Sequence, residues 1–263
     1  MPILQELHKM TNLFGQPQRN YVIIGEGNTS CRRDANSFWV KASGQQMETI
    51  EESGFVAVNF APIMDLFSNP PKTESEQKAR IAAAKVDATV SLMPSIEVSF
   101  HAALLEDCGV EVIGHTHPIA VNRILCSNRA QVLAQKRIFP DEVVLCGPES
   151  VFVPYADPGF PLALAIREAV KAYMDKQGEA PKVILLQNHG LISLGQSTHE
   201  VINITSMVVK AAEILAGTYM VGEPVFMEES EIMHIYKRPD EIYRRKQFVE
   251  GQYSSYERPI TNP

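Results

Sequence analysis

The sequence contains few cysteines, and they form no pattern that predicts disulfide bonds. The four cysteines lie far apart in the 263 residues and form no C-x-x-C pair: Cys31, Cys108, Cys126 and Cys146. Proteins that depend on disulfides carry a dense cysteine framework and occur in oxidising compartments. We therefore expect reduced cysteines and a cytoplasmic protein.

The sequence also lacks long apolar runs and an excess of basic charge. Its apolar stretches are interrupted well before the ~18 residues that a membrane span requires. The N-terminal MPILQELHKM has neither a basic region nor a long apolar region, so we expect no signal peptide. Lys and Arg number 24 against 31 Asp and Glu, for a net charge of −7. We expect no nucleic-acid partner and no membrane partner, because either would require a basic face.

The composition is that of a globular protein, with 45% hydrophobic and 21% charged residues. A chain of this length can bury roughly three quarters of its unfolded surface, so it needs no disulfide bonds to fold. It shows no internal repeat, no low-complexity tract and no linker between two cores. We expect one α/β domain over residues 1–263.

Hydrophobic periodicity predicts alternating helices and strands. Helices are predicted at residues 3–14, 76–85, 96–106, 161–177 and 198–216. Strands are predicted at residues 21–24, 37–41, 55–60, 110–117, 143–146, 151–153 and 183–187. The first two strands flank a turn rich in polar residues, which favours their antiparallel pairing.

Two histidines, His115 and His117, lie at the end of the strand predicted at residues 110–117. Residues i and i+2 of a strand point to the same face, so the two imidazoles could share one metal ion. An isolated H-x-H is weak evidence, because one surface histidine and one hydrogen-bonded core histidine would give the same spacing.

A third histidine, His189, directly follows the apolar strand predicted at residues 183–187 and precedes Gly190. The carboxyl ends of strands are where open α/β sheets expose catalytic side chains. Three imidazoles that leave a fourth position open are typical of a catalytic zinc site. The same ligands also suit Co²⁺, Ni²⁺ or Mn²⁺, so ligand type alone does not select the metal.

Further polar residues lie in turns and at a predicted helix start. Glu97 follows Pro94-Ser95, where it would either favour the helix dipole or act as an acid/base or ligand at the metal. His101, one turn further on, is interpreted as a packed neighbour rather than a fourth ligand. The segments G-E-G-N-T-S and K-A-S-G predict turns or a phosphate cradle, although neither Walker A nor G-x-G-x-x-G is present.

Five motifs together resemble the class II aldolase/adducin family of metal-dependent sugar-phosphate aldolases. In order they are G-x-G-N-T-S, K-A-S-G, P-S-I-E-V-S-F-H, G-H-T-H-P and Q-N-H-G-L-I. The resemblance covers residues 5–217, with residues 218–263 as a helical tail. It is greatest to the aldolase portion of bacterial rhamnulose-1-phosphate aldolase/alcohol dehydrogenase fusions, and we expect no dehydrogenase half here. The fold it implies is a three-layer α/β/α sandwich around a mixed, largely antiparallel sheet.

The resemblance also implies an activity and roles for individual residues. The activity is retro-aldol cleavage, or formation, of a ketose 1-phosphate, which gives dihydroxyacetone phosphate and an aldehyde. Glu97 would be the acid/base. The metal, Zn²⁺ with Mn²⁺, Co²⁺ or Ni²⁺ as alternatives, would be held by His115, His117 and His189. The phosphate would be bound by Asn28, Ser43, Gly44 and Ser95. The family usually forms a cyclic tetramer with active sites at subunit interfaces.

The sequence departs from the family pattern at two places. Ser95-Ile96 replaces the two serines that precede the acid/base glutamate in fuculose phosphate aldolases. No tyrosine follows the H-x-H strand within residues 120–140. The tail carries four tyrosines, any of which could reach a neighbouring site, and the sequence does not select among them: Tyr236, Tyr243, Tyr253 and Tyr256.

Two alternative functions stay open, and a third is disfavoured. A metal-dependent decarboxylase of a 3-keto acid would suit the loss of one phosphate donor. An adducin-like, non-catalytic scaffold would be expected to lack the metal ligands. The stretch I-L-C-S-N-R-A-Q replaces the T-H-A-D-Y-like segment of the family's pentulose-phosphate epimerases, which disfavours an epimerase.

Overall fold

Short segments rich in β-branched residues build a seven-stranded sheet in the computed structural model, which describes residues 2–250. The strands are β1 Asn28–Arg32, β2 Ser37–Lys41, β3 Phe55–Asn59, β4 Val112–Thr116, β5 Val151–Val153, β6 Val183–Leu186 and β7 Gly190–Gly195. Their spatial order is β3-β2-β1-β4-β7-β6-β5. All neighbours are antiparallel except β5 and β6, which are parallel.

Eleven α-helices connect these strands within residues 2–250. They are α1 Pro2–Gly15, α2 Phe60–Ser68, α3 Glu74–Ala83, α4 Val98–Asp107, α5 Ile119–Leu125, α6 Ala130–Gln135, α7 Pro140–Cys146, α8 Phe160–Gln177, α9 Thr198–Val221, α10 Glu229–Lys237 and α11 Pro239–Val249. Two short 3₁₀ turns lie at Pro17–Arg19 and Glu52–Gly54.

Helices cover both faces of the sheet because side chains alternate along each strand. On β1, Ser30 faces α4 through His101, while the next residue, Cys31, packs near α1. Helices α2, α4 and α8 lie on the first face, and α1, α5 and α9 lie on the second. The predicted fold, an α/β/α sandwich around a mixed, largely antiparallel sheet, is confirmed.

Two predicted strands are wrong. Residues 21–24 form a turn in which Ile24 has a positive φ of 54° and is 78% exposed. Strand β1 takes their predicted place beside β2. Residues 143–146 end α7, because Pro140 at the helix start and acidic residues in the first turn are stronger signals than the β-branched pair Val143-Val144.

Strands β1 and β7 were not predicted from the sequence. Strand β1 reads N-T-S-C-R, and β7 begins at Gly190, so both resemble turns by composition. Their hydrogen-bonded neighbours make them strands: β1 lies between β2 and β4, and β7 lies between β4 and β6. The other predicted helices and strands are confirmed to within a few residues at each end.

Helix α9 is long and apolar enough to cross a membrane by length and composition alone. In the fold it packs against α5, α7 and β7, as a core helix of a globular domain does. The tail helices α10 and α11 lie over α7, and α11 also contacts α9.

Candidate metal centre

Three histidines meet where β4 ends beside the turn between β6 and β7. His115 lies opposite Ile192 of β7, and His117 follows the end of β4. His189 lies in the three-residue turn that joins Leu186 to Gly190. Asn188 in this turn has a φ of 55°, a left-handed conformation that asparagine tolerates well. The hairpin therefore carries His189 to the end of the H-x-H strand.

The three imidazoles converge. Each offers one nitrogen, and these nitrogens all lie within 4.8 Å of one another. The Nε2 atoms of His115 and His117 are 3.1 Å apart. The ring planes are inclined to each other by 67–74° rather than stacked. Such a group of nitrogens could bind one metal ion.

Burial keeps the imidazoles of His115 and His117 neutral, which is the form that binds metals. Removal from water lowers the pKa of His115 to about 3, and neighbouring His189 adds to this effect. The pKa of His117 is also lowered to about 3, chiefly by burial. The Nδ1–H of His115 donates to the Leu191 carbonyl at 3.0 Å, so its Nε2 lone pair faces the other histidines.

Glu97 adds a carboxylate to the three imidazoles. Its Oε2 atom lies 3.5 Å from His115 Nε2, and its Oε1 atom lies 3.5 Å from His189 Nε2. It occupies the residue before α4, yet its side chain makes no capping hydrogen bond there. The neutral His115 Nε2 and the carboxylate are both acceptors, and two acceptors face each other favourably only with a cation or proton between them. This donor set therefore fits a divalent metal.

Asn28 connects Glu97 to the rest of the site. Its Nδ2 donates to Glu97 Oε2 at 2.7 Å and lies 3.1 Å from Ser95 Oγ. Its Oδ1 pairs with His101 Nε2, whose other ring nitrogen lies 2.6 Å from Ser30 Oγ. Both ring nitrogens of His101 are thus engaged, and the residue packs beneath Asn28 rather than facing the metal.

The segment that carries Ser43 and Gly44 lies beside Ser95. Ala42 forms an antiparallel bridge with Pro94, and the Ser43 amide donates to the Met93 carbonyl at 2.9 Å. Ser43 and Gly44 are exposed, while Asn28 and Ser95 are buried. Gly44 has a φ of 78°, which glycine adopts without strain. The four predicted phosphate residues therefore lie along connected segments, where β1 begins and β2 ends.

The tail tyrosines do not reach this group of residues in the described part of the chain. The hydroxyl of Tyr236 donates to Glu179 at 2.6 Å, and Tyr243 is an exposed residue of α11. Tyr253 and Tyr256 lie outside the described residues.

Three further residues shape the site and were not predicted from the sequence. A Cβ atom on Gly190 would lie 2.6 Å from both His117 Cδ2 and the Thr116 carbonyl, so only glycine fits there. Glu26 lies 3.9 Å from His117 Nδ1 and accepts a hydrogen bond from the Ile23 amide. Lys41 is buried behind Ser43 and Gly44. For Glu26 and Lys41 the signal in the sequence was a charged residue inside each glycine-containing motif, and for Gly190 it was the position directly after His189.

Residues 5–216 match the family described as the class II aldolase and adducin N-terminal domain. A curated relative, the uncharacterized oxidoreductase YuxG of Bacillus subtilis, is 27% identical over 218 residues. That match covers 80% of this chain and 29% of YuxG, so the chain spans less than a third of the length of this relative.

Solved structures share the fold at low sequence identity. An L-fuculose 1-phosphate aldolase superposes with a TM-score of 0.69 and 18% identity, covering 90% of this chain and 95% of the other. A class II aldolase domain from Thermoplasma acidophilum has a TM-score of 0.63 and 22% identity, and the match covers 81% of this chain and 93% of the other. A sugar-phosphate aldolase from Thermotoga maritima has a TM-score of 0.64 and 16% identity, and the match covers 85% of this chain and 97% of the other. With the family match over most of its length, this chain belongs to the class II aldolase and adducin family.

Proposed function

We propose that the protein is a metal-dependent carbon–carbon lyase. It would cleave, or form, a ketose 1-phosphate by retro-aldol chemistry and give dihydroxyacetone phosphate and an aldehyde. The observation that carries this proposal is a buried carboxylate, Glu97, 3.5 Å from two of three converging imidazoles. Membership of a family of metal-dependent aldolases supports it.

The metal would be held by His115, His117 and His189. Three neutral imidazoles suit Zn²⁺, and they would also accept Mn²⁺, Co²⁺ or Ni²⁺. When bound, such an ion acts as a Lewis acid toward a carbonyl and stabilises the negative charge that develops on its oxygen. The Leu191 carbonyl orients His115 for this role by accepting its Nδ1–H.

Glu97 would carry the proton that the reaction moves. When the C3–C4 bond of the ketose breaks, its electron pair stays with the C3 fragment, and the C4 hydroxyl becomes the aldehyde carbonyl by giving its proton to the Glu97 carboxylate. Glu97 then gives a proton to C3, or removes it in the synthetic direction. The hydrogen bond from Asn28 holds the carboxylate in place at 2.7 Å. Proton transfer by a positioned group contributes about 10²–10⁴-fold to a rate.

The phosphate of the substrate would be bound by a group of four residues near the start of β1 and the end of β2: Asn28, Ser43, Gly44 and Ser95. Hydroxyl and amide groups of this kind donate hydrogen bonds to phosphate oxygens. Asn28 links the proposed phosphate site to the proposed acid/base, because it is hydrogen-bonded both to Ser95 and to Glu97. The arrangement would bind the phosphate and present the carbon skeleton to the histidines.

A decarboxylase of a 3-keto acid is the second candidate. Ile96 is 54% exposed at the position where a second hydroxyl donor would serve a phosphate, which favours a less demanding carboxylate substrate. A non-catalytic, adducin-like scaffold has less support, because His115, His117, His189 and Glu97 are all in place.

We propose in addition that the protein acts in the cytoplasm as a cyclic homotetramer with active sites at subunit interfaces. The four cysteines are free, which supports a reducing compartment. The exposed apolar residues Ile23, Ile24 and Ile119 lie close to His117 and Glu26, which supports an interface beside the site. Light scattering of the purified protein should then give the mass of four chains.

The test of the proposed reaction is a cleavage assay on the metal-loaded protein. A panel of ketose 1-phosphates is assayed for release of dihydroxyacetone phosphate, and a panel of 3-keto acids is assayed for release of CO₂. The lyase proposal predicts the first product only, with no product after chelation of the metal. Release of CO₂ alone would favour the decarboxylase, and no product in either assay would favour the scaffold.

A further inference from the structure

A small cavity separates the tail helices α10 and α11 from the core, at the end of β6 opposite to His189. Lys182, which lines the cavity, directly precedes β6, whereas His189 follows this strand. The cavity has a volume of about 290 Å³, which is near the lower limit for small-molecule sites. Its wall is formed by the end of α7, the first turn of α9 and residues of α10 and α11.

Apolar atoms form most of this wall. Five apolar side chains line the cavity, two from α7 and three from α11: Val144, Leu145, Ile242, Phe248 and Val249. Small-molecule sites typically combine such a wall with a few polar groups that fix the orientation of the ligand. The apolar part of the cavity therefore suits a short hydrocarbon chain.

Several polar groups around the cavity already have partners within the protein. The hydroxyl of Tyr236 donates to Glu179 at 2.6 Å. The ammonium of Lys182 donates to Glu200 at 2.5 Å, and the Gln196 amide donates to the other oxygen of the same carboxylate at 2.7 Å. These groups stabilise the fold and need no ligand.

Arg245 of α11 differs, because it has no carboxylate partner among residues 2–250. Its guanidinium lies over the Tyr236 ring, with 4.4 Å between Cζ and the ring centroid, and its Nη2 donates to the Tyr236 carbonyl at 2.8 Å. Its Nη1 atom is shielded from water and has no hydrogen-bond partner in the same part of the chain. Buried donors in proteins are generally paired, so this nitrogen requires an explanation.

The charges around the cavity favour an anion. Lys182, Arg245 and Lys246 line it together with two carboxylates, Glu179 and Glu200, which leaves an excess of one positive charge. One negative charge on a ligand balances this excess, whereas a phosphate monoester carries more than one near neutral pH. A rotation of the Arg245 guanidinium brings Nη1 to a ligand in the cavity, and its planar fork of donors matches a carboxylate.

We propose that this cavity binds a monocarboxylate with a short apolar chain. The carboxylate would lie at Arg245 and Lys246, and the chain would pack against the apolar residues of α7 and α11. Such a ligand would join the tail helix α11 to the core of the domain. The inference does not depend on the proposed reaction, because the cavity and the metal centre lie at opposite ends of β6.

Calorimetry with hexanoate as the probe tests this binding. The metal-loaded wild type and His117→Ala should bind hexanoate with the same affinity, because the cavity does not include the metal centre. 1-Hexanol has the same chain without the charge and should bind at least roughly tenfold more weakly, since a charge-assisted hydrogen bond is lost. Three results would overturn the inference: no binding of hexanoate, binding that is lost in His117→Ala, or equal affinity for hexanol.

Two variants locate the probe in the cavity. Arg245→Gln removes the charge and keeps an amide donor, so hexanoate should bind roughly tenfold more weakly or worse while hexanol binds as before. Leu145→Trp should fill the cavity and remove the binding of both compounds. Arg238→Gln is the matched control, because Arg238 lies next to α11, pairs with Asp240 and does not line the cavity. Unchanged hexanoate affinity in Arg245→Gln, with an unchanged melting temperature, would overturn the inference.

The wild type provides a test that needs no variant. Arg244, Arg245 and Lys246 are consecutive trypsin sites within α11, and trypsin cleaves a helix only after it has opened locally. Hexanoate at about ten times its Kd should slow cleavage at these bonds roughly tenfold, because it binds only the closed form. Mass spectrometry of the fragments measures the rate. The same rate with and without saturating hexanoate would refute the assignment.

Discussion

Two buried polar clusters lie in this fold, and they differ in whether their groups satisfy one another. In the cluster around Arg137, the fully buried guanidinium lies 3.7 Å from Glu142 and donates to surrounding oxygens. Those oxygens are the carbonyls of Ala134, Lys136 and Gly147 and the hydroxyl of Ser150. In the cluster around His115, two acceptors, its Nε2 and the Glu97 carboxylate, face each other at 3.5 Å.

The difference indicates which cluster is structural and which is functional. Arg137 and Glu142 join the segments around α6, α7 and β5 through hydrogen bonds to backbone and hydroxyl groups. In the histidine cluster Asn28 donates to Glu97, yet two acceptors still face each other, an arrangement that a cation would stabilise. Buried donors and acceptors that match one another stabilise a fold, whereas acceptors that converge on one point mark a place for a cation.

The largest expected effect is on activity, from Glu97→Gln. The amide is similar in size but cannot exchange the proton, so the cleavage rate should fall by about 10²–10⁴-fold. The melting temperature should change little, because Asn28 can pair with either side chain. Rate and melting temperature are measured together, and Glu179→Gln, in a loop contact with Tyr236, is the control. A fall of less than about tenfold would contradict the role of Glu97.

The opposite pattern is expected for Arg137→Met. The substitution leaves Glu142 buried without its partner, and the free energy of unfolding should fall by about 3–5 kcal/mol. Urea denaturation checks this value, with exposed Arg123→Met as the control. The folded fraction should keep its metal and its activity. Lost metal binding in folded Arg137→Met protein would remove the distinction between the two clusters.

The contributions of the two clusters to folding stability should also change with pH in opposite directions. Burial lowers the pKa of three histidines, His101, His115 and His117, to about 3. Between about pH 6.5 and 3 the unfolded chain therefore binds more protons than the metal-free folded protein, so stability falls with decreasing pH. Each histidine contributes about 1.4 kcal/mol per pH unit in this range.

Glu142 acts in the other direction, because burial raises its pKa. Its folded form binds the proton more readily, so its contribution is lost as pH rises through the raised pKa. Urea denaturation of chelated protein from pH 7 to 4 should show net loss of stability toward acid, with a smaller slope in His101→Gln. A stability that does not change between pH 7 and 4 would contradict neutral buried histidines.

A smaller effect is expected from Gly190→Ala. The new Cβ would lie 2.6 Å from the Thr116 carbonyl, and overpacking of this kind costs about 1–3 kcal/mol. Because the same atom would displace the His117 ring, metal affinity should fall as well. Gly217→Ala, where a Cβ meets open space, is the control for both measurements.

The sequence predicted the convergence of the three histidines because strand geometry is periodic. His115 and His117 share a face by their spacing, and His189 follows a recognisable buried strand. Lys41, Glu26 and Gly190 could not be predicted in the same way. Their roles depend on which strands are neighbours, and β1 and β7, which bring these residues together, have the composition of turns.

The smallest effect tests one of these unpredicted residues. Glu26→Gln should lower metal affinity by less than about tenfold, because its carboxylate lies 3.9 Å from His117 Nδ1 and is partly exposed. Competition with a chromogenic chelator measures the affinity, with Glu48→Gln, an exposed residue, as the control. An effect larger than that of Gly190→Ala would show that Glu26 is itself a ligand.

The most direct test of the metal centre is the metal content of the purified protein, measured by mass spectrometry beside His117→Ala and the exposed control His234→Ala. The account predicts about one divalent ion per chain in the wild type and in His234→Ala, and none in His117→Ala. A wild type without metal after incubation with Zn²⁺, Mn²⁺, Co²⁺ and Ni²⁺, or His117→Ala with a full complement, would contradict it.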